Sequence, residues 1–288
     1  MFKRPPVLPL LAAVCLIGAV SQTSYAETDM TLSNKDKAIA LLKSIETGDK
    51  SAIGYVNADN YIQHNLTAGD GLAGFAELLQ ALPAGSAKVN TVRALEDGEF
   101  VVTHSEYEFF GPKVGFDVYR FEDGLIVEHW DNLIETAAPN PSGRTQTDGP
   151  TEIVDLDKTD TNKALVESFV TTILVNGDMD KVANYIDGDN YLQHNPAVAD
   201  GLSGLGAALK AMAEQGITMV YDRLHKVLGE GNFVLTISEG TFGGQPTSYY
   251  DLFRVDEGKI VEHWDVIETI IPEEQRKNAN GKFGNLSP

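Results

Sequence analysis

The segment Gly124-Leu-Ile-Val-Glu-His129-Trp130-Asp131 recurs as Gly258-Lys-Ile-Val-Glu-His263-Trp264-Asp265, with seven of eight residues identical. A second pair, Asp59-Asn-Tyr-Ile-Gln63-His64-Asn65 and Asp189-Asn-Tyr-Leu-Gln193-His194-Asn195, agrees almost as well. The chain is therefore one domain written twice, and any fold must be one that half its length can form. Tyr61 and Tyr191 align at an offset of 130, as do the two Asp-Gly-Leu-x-Gly segments beginning at Asp70 and Asp200; the final segments align at 134. Part of the extra length falls at Gly243-Gly244-Gln245-Pro246, which is turn material.

Each copy is expected to run from helices to strands. In residues 34–47, Ile39, Leu42 and Ile45 form one apolar stripe, with Ser33 and Asp36 as a capping box and Gly48 as the stop. Leu165, Val166, Phe169, Val170, Ile173 and Leu174 repeat that face before Gly177. A short helix and an extended piece carrying His64 or His194 follow, then helices over 72–82 and 202–212. Strand-like runs at 88–95, 99–109, 116–121 and 125–135 are rich in Val, Phe, Tyr and Ile and are divided by Asp-Gly or Glu-Gly turns. Helices first and antiparallel strands after make an α+β fold, with helices on one face of a curved sheet.

Two segments lie outside this scheme. Lys3 and Arg4, the apolar run Leu8–Val20 and Ser24-Tyr25-Ala26 read as a cleaved signal peptide over 1–26, with a secreted or periplasmic product starting near Glu27 and no membrane association afterwards. Cys15 lies inside that run, so the mature chain of about 260 residues has neither disulfide nor thiol chemistry. Thr136 to Thr151, with Pro139, Pro141, Pro150, Gly143 and Gly149, reads as an exposed linker, and the polar tail after Pro272 as frayed. The formal charge of −20 repels phosphate backbones and excludes nucleic acid as a natural partner.

Strand alternation separates the repeated motif into two faces. Val127, His129 and Asp131 point one way, and Ile126, Glu128 and Trp130 the other; Asp117, Tyr119 and Phe121 alternate with Val118 and Arg120. A two-residue Asp-Gly turn would set Asp117 opposite Trp130. A three-residue loop Glu122-Asp123-Gly124 would set it opposite His129 and diagonal to Asp131, leaving Arg120 beside Glu128. Charge pairing favours the three-residue loop, and the same register gathers Asp251, His263 and Asp265 with Arg254 near Glu262. Two carboxylates and an imidazole in a concave, partly dry site suit proton transfer. His64 and His194 are expected to join it, with Gln63, Gln193, Tyr119, Phe253 and His104 as ligand-binding candidates. The repeated Trp reads as core, and the His-x-Asp pair can equally be a hydrogen bond that stiffens the sheet.

Tyr-x-Gln-His-Asn, Gly-Leu-x-Gly, Asp-x-Phe/Tyr-Arg and Gly-Lys-Ile-Val-Glu-His-Trp-Asp together resemble the SnoaL-like group of the nuclear transport factor 2-like superfamily. The resemblance implies two tandem domains, 27–136 and 157–272, joined by a linker at 137–156 and followed by a tail at 273–288. Each would be a cone-shaped α+β domain whose curved sheet encloses an apolar pocket. It further implies that the copies pair with each other through the sheet faces outside the cones. The group includes polyketide cyclases, and its relatives include isomerases, dehydratases and binding modules. By position, Asp131 and Asp265 look like the cyclases' general base, whereas Asp117 and Asp251 stand where those cyclases tend to have histidine. The expected ligand is a small, largely apolar carbonyl compound, handled without a cofactor. Two alternatives stay open: a binding module without turnover, and a metal site of two histidines and one carboxylate.

Overall fold

The computed structural model describes residues 32–82 and 85–287. The expected signal peptide with Cys15 and its cleavage site lies outside the described residues. In copy one, helix α1 spans Asn34–Thr47: Ser33 accepts the Asp36 N–H, Asp36 caps Ser33 in return, and Gly48 ends the helix at φ +70°. A 3-10 turn, the short strand β1 (Ile62–Gln63) and helix α2 (Gly71–Ala81) follow. Four long strands close the copy: β2 (Lys88–Asp97), β3 (Phe100–Glu108), β4 (Pro112–Glu122) and β5 (Leu125–Glu135).

Copy two repeats this plan with α3 (Thr159–Phe169), which runs on as a π-turn, then β6 (Leu192–Gln193) and α4 (Gly201–Glu214). Its long strands are β7 (Met219–Glu230), β8 (Phe233–Phe242), β9 (Gln245–Asp256) and β10 (Lys259–Thr269). The sheets run β1-β5-β4-β3-β2 and β6-β10-β9-β8-β7, antiparallel except that the short strand pairs parallel with its neighbour. Helices cover one face of each sheet; Ala38, Leu41 and Leu42 pack on Val101, Tyr119 and Ile126. The other faces meet across one core, where Val102, Phe116, Val118 and Trp130 pack with Leu235, Tyr250, Leu252 and Trp264. Asn132 crosses this junction and donates to the carbonyls of Ser248 and Val266, both at 2.9 Å.

Three expectations require correction. The β4–β5 connection is a two-residue Asp123-Gly124 turn with φ +49° and +74°, followed by a bulge at Val127, rather than a three-residue loop. Asp117 therefore faces Asp131, and Tyr119 faces His129. The bulge also turns Ile126 toward the helices, away from Trp130. Turn plus bulge adds the same single residue as the longer loop, so Asp117, His129 and Asp131 still share a face.

The linker and the tail are docked rather than loose, and they are exchanged. The linker is anchored on copy two, where Asn140 donates to the carbonyls of Gln193 and Val198 and Arg144 pairs with Asp200. Its end is also held by Arg93 of copy one, which donates to the carbonyls of Thr147, Asp148 and Pro150. The tail lies on copy one, where Asn278 donates to the carbonyls of Asn65 and Ala68 and Leu286 enters the shared core. Asn140, Asn278 and Asn280 satisfy backbone groups left open beside the short strands, so both segments are anchored although most of the linker is solvent-exposed, as expected.

Candidate functional site

The concave face of the first sheet carries Thr103 and Tyr107 on β3, Asp117 and Tyr119 on β4, and His129, Asp131 and Leu133 on β5. Gln63 arrives from β1 because it pairs in register with His129. With α1 and α2 this face encloses a cavity of about 440 Å³. Its walls are mostly apolar, supplied by Leu41, Leu42, Ile45, Phe75, Leu78 and Phe109, and its polar lining includes a cluster of Asp117, His129 and Asp131.

In that cluster one carboxylate oxygen each of Asp117 and Asp131 and one ring nitrogen of His129 lie within 4.8 Å of one another. His129 Nδ1 is 2.9 Å from Gln63 Oε1 and Nε2 is 3.0 Å from Asp117 Oδ1. Gln63 Oε1 also accepts the Asn65 N–H at 2.8 Å, and its amide nitrogen donates to the Tyr61 hydroxyl, which fixes the carbonyl toward the imidazole. Both ring nitrogens thus have a hydrogen-bonding partner, which fixes the orientation of the imidazole. Asp117 takes further bonds from the Tyr107 and Thr103 hydroxyls.

Asp131 is placed differently. Its Oδ2 accepts from the Asn65 amide at 2.6 Å, while its buried Oδ1 has no hydrogen-bond partner. The residue is only 3% exposed, so this oxygen is a buried acceptor without a hydrogen bond.

Copy two repeats the network: His263 lies 3.0 Å from both Gln193 and Asp251, Asn195 donates to Asp265, and Tyr221 donates to Asp251. Burial opposes charge on His263, but the Asp251 hydrogen bond and the charges of Asp265 and Asp251 outweigh it and raise its pKa. Burial raises the Asp265 carboxyl as well; His263 offsets part of this and Asp251 adds to it. Tyr119 stacks on His129 at 4.7 Å, and Phe253 stacks on His263 at 4.8 Å in the equivalent place.

His64, His194 and His104 do not join these sites. Residues alternate along the short strand, so Gln63 points into the cavity and His64 points behind it. His64 stacks on Trp130 at 4.8 Å and bonds Glu128 and the Gly281 carbonyl. His194 does the same with Trp264, Glu262 and the Thr145 carbonyl. His104 faces the junction between the sheets, stacked on Phe116, where burial and then Arg93 push its pKa well down. The two-histidine, one-carboxylate metal set, which needed His64 or His194 beside His129 or His263, is therefore not formed.

Sequence reasoning missed Tyr107 and Thr103, which the period-two alternation of β3 could have put beside Asp117. It also missed Glu268 and Lys277, which line the first cavity from copy two and the tail. No local pattern marks these two, because only the packing of the copies brings them there.

Among solved structures, IdmH, a candidate polyketide cyclase from Streptomyces antibioticus, is 20% identical over 35% of this chain and 92% of its own, with a TM-score of 0.31. A candidate ketosteroid isomerase from Kribbella flavida DSM 17836 is 13% identical over 45% of this chain and 98% of its own, with a TM-score of 0.34. A Xanthomonas campestris protein of unknown function with a cystatin-like fold is 23% identical over 43% and 98%, with a TM-score of 0.33. No curated protein matches the chain. The SnoaL-like domain family matches twice, over residues 38–129 and 166–263. With most of both copies inside those matches, the chain belongs to the SnoaL-like domain family as a tandem member.

Proposed function

We propose that the first cavity binds a small, largely apolar carbonyl compound and that Asp131 removes a proton from the carbon next to the carbonyl. The observation that carries this reading is the buried Oδ1 of Asp131, without a hydrogen bond, in a mostly apolar cavity of about 440 Å³. In the step, the C–H electron pair moves into the carbonyl to give an enolate, and the proton goes to Asp131. The enolate then takes a proton back at another carbon or closes on a second carbonyl, so the substrate is its own electron sink and no cofactor is required. His129, locked between Gln63 and Asp117, holds an oriented imidazole beside the developing enolate. Isomerisation and intramolecular aldol closure are both outcomes of this one abstraction.

Exchange of α-protons for deuterium in a panel of cyclic ketones, followed by NMR, tests the step without knowledge of the natural substrate. Wild-type protein should accelerate the exchange, and Asp131→Asn should lose about 10²–10⁴-fold of that acceleration while retaining ligand. A second reading is a binding module without turnover, favoured by the satisfied state of every site group except Asp131 Oδ1. It would be established by saturable ketone binding with no exchange above background.

A further inference from the structure

The Gln–His–Asp and Asn–Asp bonds recur in both copies, but Tyr107 and Thr103 of β3 bond Asp117 where Tyr221 of β7 bonds Asp251, and what stands behind the two sets differs as well. Strand register equates Tyr250 with Phe116 and Glu268 with Ile134, since each lies at the same place relative to the paired aspartates. The exchanged straps extend the correspondence. The carbonyls of Gly281 and Thr145 meet His64 and His194, and those of Gly284 and Asp148 accept from Trp130 and Trp264. Lys282 in the tail is thus the counterpart of Gln146 in the linker.

In copy one the charged members converge on Asp131. Lys282, whose side chain is 5% exposed, places Nζ 2.8 Å from Glu268 Oε2 and 3.9 Å from Asp131 Oδ1. Burial raises the Glu268 carboxyl, and the charge of Asp131 raises it further against the pull of Lys282. The buried Tyr250 hydroxyl, which has no hydrogen-bond partner, is raised by burial and then by Asp131, Glu268 and Asp117. Around copy two's Asp265 the equivalent positions are Phe116, Ile134 and Gln146, none of which carries charge.

We propose that Lys282 is the counter-ion of the Asp131 carboxylate and a positioning residue of the first site, held there by Glu268, so that the second copy and its tail complete the first copy's proton-transfer site and no such completion exists for Asp265. This rests on the reading of Asp131 as the base. The remaining titratable groups facing Asp131 are His129 and Asp117 on the sheet and Tyr61, Tyr107 and Tyr119 around the cavity. Among the described residues, Lys282 is the only lysine or arginine ion-paired with Asp131.

The test is the carboxyl ¹³C titration of Asp131 in the full chain, assigned with Asp131→Asn and with Asp265 as the internal control. Lys282→Met should raise the Asp131 midpoint by about one unit or more and leave Asp265 in place, and Lys282→Arg should restore it. Glu268→Gln should lower it, because Lys282 then turns wholly to Asp131. If Lys282→Met does not fold, Lys282→Gln, which removes the same charge, takes its place: a higher Asp131 midpoint supports the assignment, and an unchanged or lower one overturns it. An Asp131 midpoint that ignores both substitutions, or an Asp265 midpoint that moves as far, also overturns it. No substrate enters this measurement, so the counter-ion can fail while ketone exchange survives, and the reverse.

Discussion

Glu262 has no exposed surface, yet it accepts from His194 at 2.9 Å and from Arg254 at 2.7 Å. Burial alone would raise its carboxyl; those hydrogen bonds outweigh burial and hold it below the usual carboxylate value of 4.5. A depressed folded pKa stabilises the protein above the unfolded value, and that stabilisation is lost as pH falls through the folded pKa. Glu262→Gln should therefore cost about 3 kcal/mol at neutral pH, because Arg254 and His194 lose a buried partner. Its deficit should narrow as the pH drops below 4.5, where the wild type surrenders the same interaction. Urea melts at a series of pH values would show this, and a deficit independent of pH would refute it. The pairing of Arg254 with Glu262, and of Arg120 with Glu128, was legible from strand alternation together with charge pairing, although the loop invoked to produce it was not the one formed. The part taken by His194 was not, since nothing in Gln193-His194 says which of two adjacent side chains enters the cavity.

At the level of the element, the turn before the repeated motif sets the site. A two-residue turn by itself would put Asp117 opposite Trp130 and split the carboxylates between two faces; the bulge at Val127 restores the parity. The faces could therefore be read correctly from sequence while the partners were misread, because a bulge leaves no signature in a run such as Leu-Ile-Val-Glu. The turn itself is demanding. Glu257 and Gly258 in copy two sit at φ +48° and +75°, both in the left-handed region. Nothing lies within 4 Å of a Cβ added at Gly258, so a substitution there meets conformational strain and no clash. Gly258→Ala should cost about 1 kcal/mol, and Gly258→Asn should cost less because asparagine tolerates that region. Thermal melts would read both. Equal losses for the two variants would mean that the turn is not the source.

Across the whole molecule, each copy is finished by the segment that leaves the other. The sequence made the repeat and the α+β order plain, because apolar periodicity is local. It made the linker and the tail look loose, because their partners lie in the opposite copy and their own residues are polar. Removing Lys277–Pro288 would strip the Trp130 N–H of its acceptor, Gly284 O, and His64 of Gly281 O. It would also take the Asn285 amide from Glu128 and the Lys282 ammonium from Asp131. Buried groups left without partners cost about 1–3 kcal/mol each, so the truncated chain should lose at least about 3 kcal/mol. The loss should not stay in copy one. Trp130 and Trp264 belong to one core across both sheets, and the linker holds copy two as the tail holds copy one. Denaturant unfolding of the truncated protein should therefore remain a single transition at lower denaturant, with indole fluorescence and backbone circular dichroism moving together. Two separated transitions, with copy two keeping its original midpoint, would mean that the copies are independent domains that merely touch.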